Sequence, residues 1–385
     1  MSPPATSHRR SSELYDPARH ASPSSTPWDP AAAEAAIAEI VQDARAAYDA
    51  ERLWPAHPLD DGVRDGSTTL YFGATGVLWA LRYLGQPLEF DIVDLARRNA
   101  REYASFRSYP EHASLLMGDV AVLLLGDERE RLKQRIANNV DLPPKELLWG
   151  MPGTMLAAVF IGEEALFRQQ AERLLAAFEE TPHGPLCPQE LYNQHLLYLG
   201  PAHGFAGHIL ALLRGWQWLD GAQREQVASA VIRTLAINAR ESADGVNWPA
   251  AAGENGKMLV QWCHGAPGIV ATFADAPFSD PELERLLIRA AELTWRAGPL
   301  AKGSNLCHGT AGNGYAFLKL HARTGDPMWL ERARAFAMTA IEQCRAARRK
   351  HGQGRYSLWT GDPGVAVYLH DCLRAQARFP TIDVF

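Results

Sequence analysis

A pair of glycines three residues apart, set among apolar residues, recurs along this chain and limits its fold more than any other feature. It reads LYFGATGVLWAL at Gly73, LLWGMPGTMLAA at Gly150, PAHGFAGHILALL at Gly204, WCHGAPGIVATF at Gly265, LCHGTAGNGYAFL at Gly309 and LWTGDPGVAVYL at Gly361. A weaker copy, LLMGDVAVLLL at Gly118, carries Ala121 where the second glycine would fall. Gly118 to Gly150 is the shortest step and Gly204 to Gly265 the longest. A single glycine pair marks no more than a tight turn. Copies held in one register mark a structural unit stacked on its own repeats.

The segments between copies read as amphipathic helices. SDPELERLLIRAAELTWRA has Asp280 as N-cap and Pro281 at the first helical position, and GDPMWLERARAFAMTAIEQCRAARR opens the same way at Asp326 and Pro327. The run after each glycine pair is apolar nearly all round, as a helix buried on most sides must be. Each unit therefore pairs an inner with an outer helix, and no stretch alternates with period two long enough to demand a sheet. Seven such units suit closure into an all-α ring, an α/α toroid of seven inner and seven outer helices. Closure gathers the glycine turns at one end of the central cavity.

Composition narrows the function. The 385 residues are 47% hydrophobic and 21% charged with a formal net charge of −6, which offers no general attraction to nucleic acid or an anionic membrane. No apolar run approaches the roughly 20 residues that cross a bilayer. The opening MSPPATSHRRSSELYDPARHASPSSTPWDP has no apolar core behind Arg9 and Arg10, so it is not a secretory signal. Its Ser/Pro density predicts a disordered tail over residues 1–28, ahead of a single domain over 29–385. Five cysteines without a signal sequence argue against disulfides and for a reducing, cytoplasmic setting.

The polar residues of the turns are unevenly spread. Two positions before the first glycine stand Cys263 and Cys307, and one position before it stand His203, His264 and His308. Equivalent positions in a closed ring point at one axis, so these side chains converge although far apart in sequence. Two thiolates and an imidazole suit Zn²⁺, and three protein ligands leave one tetrahedral position open, as catalytic sites do. His264 then falls to a hydrogen-bonding role beside the metal. His203, in a repeat without a cysteine, is the acid or base. Glu146, four residues before Gly150, either projects toward the same mouth or is a solvated charge at a helix end. Cys344 and Cys372 sit within helical patterns and Cys187 in a Pro-flanked loop, where packing explains them. A toroidal glycosidase or terpenoid cyclase would want paired carboxylates or an Asp-rich motif over an aromatic cavity. Trp149, Trp262 and Trp359 precede repeat glycines and read instead as inter-helix packing.

In QWCHGAPG, NLCHGTAGNGYAFL and SLWTGDPGVAVYL, supported by AHGFAG, LLWGMPG and the closing RFP at Arg378–Pro380, the chain resembles the lanthionine synthetase C-like family from about Gly73 onward, closer to its eukaryotic-type members. The resemblance implies an α/α toroid with zinc held by Cys263, Cys307 and His308, and His203 as acid/base. Glu146 stands where the family's cyclases have an acidic residue. Lys302 and Arg355 match basic positions associated with glutathione, although the loop before Arg355 differs in length. The implied chemistry is addition of a thiol to dehydroalanine or dehydrobutyrine, with glutathione as the thiol and a dehydroamino-acid-containing protein or peptide as the acceptor. Two other readings stay open: a lanthionine-forming cyclase of a ribosomal peptide, and a peptide-binding scaffold with structural zinc. The cyclases have an arginine four residues before the first zinc cysteine, where this chain has Leu259.

Overall fold

The computed structural model describes residues 14–60, 62–106, 113–141, 145–191, 194–254 and 258–385. Inner helices follow the glycine turns: α2 (Ala74–Tyr83), α4 (Val120–Leu125), α6 (Met151–Ile161), α8 (Phe205–Arg214), α10 (Ala266–Phe273), α12 (Thr310–Thr324) and α14 (Asp362–Arg374). Outer helices alternate with them: α1 (Pro30–Ala46), α3 (Ile92–Ser105), α5 (Arg129–Asn138), α7 (Glu164–Ala176), α9 (Gly221–Asn238), α11 (Pro281–Ala297) and α13 (Pro327–His351). The fold is thus the expected α/α toroid. Helices α11 and α13 start at Asp280 and Asp326, whose side chains accept first-turn N–H groups.

Each inner helix packs on the next around the ring, and α14 closes it against α2. Helices α7, α11 and α13 cover the inner helix before them, α3 packs instead on α4 after it, and the partner of α14 is α1, from the other end of the chain. The Tyr83 hydroxyl donates to Asp371 at 2.8 Å, and the Arg345–Glu39 and Arg348–Asp43 pairs tie α13 to α1 across the same seam.

The glycine pairs exist because backbone passes over backbone. A Cβ on the second glycine would run into the carbonyl oxygen six residues earlier: that of Leu70 at Gly76, Trp262 at Gly268, Leu306 at Gly312 and Leu358 at Gly364. The weak second copy has Ala121 at the second place. At Gly118 the nearest atom to an added Cβ is the Ser114 oxygen at 3.1 Å, and α4 is only 6 residues long.

Three short hairpins fall outside the sequence expectation: β1 (Glu179–Thr181) with β2 (Gly184–Leu186), β3 (Gln189–Leu191) with β4 (Gln194–Leu196), and β5 (Arg240–Ser242) with β6 (Gly245–Asn247). Strands of three residues are too short to show a period. They fill the two longest steps of the repeat.

The expected disordered tail needs correction. Residues 1–13 lie outside the described part, but 14–28 are packed on the ring. Leu14 is buried, Asn247 donates to its carbonyl, and Ala21 N–H and Arg19 C=O pair with Pro299 and Ala301. His20 Nδ1 lies 2.9 Å from the Gly298 carbonyl. Main-chain pairing orders this segment, and composition does not register it.

The C-terminal residues fill the ring from the end opposite the glycine turns. Phe379 packs on Trp262, Trp359 and Tyr315, and Asp383 meets Arg214 and Lys319, which also share Asp275. Among the described residues no helix is long and apolar enough to cross a membrane.

Candidate metal centre

The inner helices begin at a common end, so the residues ahead of their glycines face one another. Those two positions before the first glycine (Tyr71, Leu116, Leu148, Ala202, Cys263, Cys307 and Trp359) all line one cavity of about 250 Å³. Backbone hydrogen bonds between successive repeats fix several of them. Cys263 N–H donates to Cys307 C=O at 3.1 Å, Cys307 to Trp359 at 3.0 Å, Trp359 to Tyr71 at 3.3 Å and Tyr71 to Leu116 at 3.0 Å. This belt crosses the junction between the last repeat and the first, at Trp359 and Tyr71.

One donor atom each from Cys263, Cys307 and His308 lies within 4.8 Å of the other two, with both cysteines buried. Their proton states suit a cation. The Cys307 thiol donates to Cys263, which holds Cys263 below the ordinary thiol range against the opposing effect of burial, and holds Cys307 well above it. Burial first, then the charges of Lys302 and Arg355, push the His308 imidazole down to about 3, leaving it neutral with one ring-nitrogen lone pair to offer a metal. Asn305 Oδ1 accepts the His308 N–H at 3.0 Å and fixes its turn.

His203 lines the same cavity, and Glu146 lies behind it. His203 Nδ1 lies 2.8 Å from Glu146 Oε2. Glu146 is fully buried and its carboxylate accepts the N–H groups of Leu148 and Trp149. Burial disfavours the imidazolium, but the hydrogen bond and charge of Glu146, with the Cys263 sulfur, outweigh it and raise the His203 pKa above its ordinary value. His264, 6.3 Å from His203 between ring centres, is pushed down to about 4 by burial and by the charges of His203 and Lys302. It lines the cavity outside the ligand triad.

The two basic residues differ. Lys302 is exposed, and its charge acts on both cysteines. Arg355 is already engaged: its guanidinium donates to Asp60, at 2.9 Å from Nε, and to the Leu59 carbonyl. Two residues escaped the sequence reading. Gln261 Nε2 donates to Cys263 Sγ at 3.0 Å, and Tyr71 lines the cavity with Cys307, burial and the neighbouring sulfurs raising its phenol well above the ordinary range. Tyr71 carried a signal, since it occupies the cysteines' own register. Gln261 carried none.

Comparison with known proteins gives the site a context. The profile of lanthionine synthetase C-like proteins matches residues 33–384. A Danio rerio protein named glutathione S-transferase LANCL1 is 30% identical over 260 residues, 63% of this chain and 62% of that protein, so the match spans less than two thirds of the relative. The LanC-like protein GCL1 of Arabidopsis thaliana is 28% identical over 319 residues, 72% of each chain. Among solved structures a nisin cyclase superposes with a TM-score of 0.61, covering 88% of this chain and 92% of the cyclase at 16% identity, a likeness of fold.

Proposed function

This chain belongs to the lanthionine synthetase C-like family, and on that footing we propose that it is a zinc-dependent enzyme joining a thiol to the β-carbon of dehydroalanine or dehydrobutyrine residues in a protein or peptide. The observation that carries the proposal is the convergence of Cys263, Cys307 and His308 in one cavity with His203, which Glu146 backs. Two thiolates and a neutral imidazole fit Zn²⁺ and leave its fourth position for a substrate sulfur. When bound, the ion supplies the acidity that turns a thiol into a thiolate at neutral pH.

The chain's own residues supply the rest. The thiolate sulfur bonds to the β-carbon, the carbon–carbon π bond breaks, and its electron pair moves onto the neighbouring carbonyl as an enolate. His203, kept protonated by Glu146, then delivers a proton to the α-carbon and restores the carbonyl. The proton lost by the thiol balances the one given. Glutathione is the thiol we favour, because the Danio rerio relative bears that activity in its name and Lys302 offers a cation to a carboxylate at the mouth. The engaged Arg355 supports this less. The likeness to nisin cyclase keeps ring closure within one peptide as the second reading. All five cysteines are free and buried, in keeping with a cytoplasmic site of action.

The test is to incubate zinc-loaded protein with glutathione and a dehydroalanine-containing peptide and to follow mass. A gain of one glutathione is expected, and Cys307→Ala should lose both zinc and the product. Ring closure of a cysteine-bearing peptide without a glutathione adduct would favour the second reading. Absence of both products from a protein with full zinc would refute thioether formation and leave a peptide-binding scaffold.

A further inference from the structure

Gln261 is nearly buried, yet its side chain does little for the fold. Its Nε2 donates to Cys263 Sγ at 3.0 Å, while its Oε1 has no hydrogen-bond partner among the described residues. Burying an amide with half its capacity unmet is unfavourable, so the sulfur contact is what this side chain contributes. Tyr71 stands on the side of the second sulfur. Its main chain is held by Trp359 and Leu116 and its ring stacks on Trp359 at 5.8 Å, which sets it in the wall of the cavity that Cys307 also lines. A neutral donor therefore meets the Cys263 sulfur directly, and a second neutral donor group, the Tyr71 hydroxyl, belongs to a residue lining the same cavity as Cys307.

We propose that Gln261 and Tyr71 are positioning residues that set the electron density on the two sulfur ligands, and through it how strongly a bound metal ion can acidify an incoming thiol. A hydrogen bond to a thiolate withdraws charge that the sulfur would otherwise give to the metal. The argument is one of charge. Two thiolates already neutralise a divalent ion, so a third sulfur brings the site to a net charge of −1. Donors aimed at the resident sulfurs disperse that excess, whereas a cation in their place would compete with the metal. Both side chains are neutral. The inference rests on the thiol-binding reading above and adds which residues tune it.

The test uses protein reconstituted with cobalt, whose sulfur-to-metal charge-transfer band reports the electron density on the sulfurs. Tyr71→Phe removes only the hydroxyl, and Gln261→Leu only the amide. Each is expected to keep stoichiometric metal and to move the band to lower energy. With zinc, each should weaken glutathione binding at neutral pH about three- to tenfold, the worth of one hydrogen bond, and the deficit should shrink at alkaline pH, where the thiol ionises unaided. An unmoved band with unchanged glutathione affinity would overturn the inference. So would loss of metal from either variant with an unshifted band in the fraction that retains it, which is what mere structural support predicts. Should glutathione leave the cobalt spectrum of the unmodified protein untouched, the thiol-binding reading itself fails, while a band shift in the variants would still stand.

Discussion

Replacing Gly312 by alanine tests whether the glycine repeat is a packing requirement. Intrinsic propensity favours the change, since alanine in a helix interior is about 1 kcal/mol better than glycine. The structure requires the opposite sign. A Cβ at Gly312 would sit 2.7 Å from the Leu306 carbonyl carbon, closer still to its oxygen, and 3.2 Å from Trp262 Cβ. Carbon atoms rest comfortably at about 3.5–4.0 Å, so the main chain must give by roughly 1 Å. The peptide that must move joins Leu306 to Cys307, whose N–H is bonded to Trp359, so relief displaces a proposed metal ligand. Overpacking of this kind costs about 1–3 kcal/mol and more where backbone is involved. We expect Gly312→Ala to lose at least about 3 kcal/mol, net of the propensity gain, and part of its bound metal. The assay is thermal and urea unfolding alongside metal content. Gly221, at the first turn of α9 with nothing within 4 Å of an added Cβ, is the control, and Gly221→Ala should be neutral or stabilising by up to about 1 kcal/mol. A Gly312→Ala protein melting at or above the parent with full metal would refute the reasoning.

Three further outcomes follow from the same geometry. Glu146→Gln should retain zinc but slow addition by about 10²-fold or more, within the range for a lost general acid; with the raising influence gone, burial takes His203 below its ordinary pKa, so the alkaline limb of the pH–rate profile should move to lower pH. His208, fully buried, is pushed down to about 4 by desolvation from 6.5; its contribution is complete above pH 6.5 and fades as pH falls toward 4, worth roughly 3 kcal/mol, and urea unfolding of His208→Gln should show a shallower loss across that window. Asp383→Ala leaves Lys319 and Arg214 to share Asp275, and breaking such a buried cluster should lower stability by about 3–5 kcal/mol, measured by chemical denaturation.

The ring was legible in the sequence because one steric demand repeats. Backbone passing over backbone forces glycine at the same two places, and the seven inner helices follow from the register. The meeting of Cys263, Cys307 and His308 was legible for the same reason, since equivalent positions of a closed ring share an axis. What stayed hidden depends on single contacts without periodicity. The segment from Leu14 to Trp28 is held by main-chain pairing of Arg19 and Ala21 with Ala301 and Pro299 and by single side-chain contacts such as that of Asn247 with the Leu14 carbonyl, none of which leaves a pattern. Nothing in α1 announces that it covers α14. The engagement of Arg355 by Asp60 joins residues nearly 300 positions apart, through a loop outside the repeat.

The seven equivalent positions share a main-chain arrangement over much of the ring but differ in side chain, and their order around the mouth constrains the chemistry proposed here. Cys263 and Cys307 are neighbours, Trp359 and Tyr71 follow, and Leu116, Leu148 and Ala202 complete an apolar arc. His203 stands in the repeat just before that of Cys263, with Glu146 one repeat further back. A sulfur delivered at the cysteine arc and a proton delivered from His203 therefore approach an acceptor from adjacent repeats, which suits two events on adjacent carbons. The apolar side chains of that arc neither protonate nor ligate, so an acceptor side chain can rest against them beside His203 without competing for a metal ion. Because the belt is made of backbone, residues at these positions can change while the frame stays fixed. Tyr71, standing in a cysteine's register yet acting on a cysteine two repeats away, is such a change.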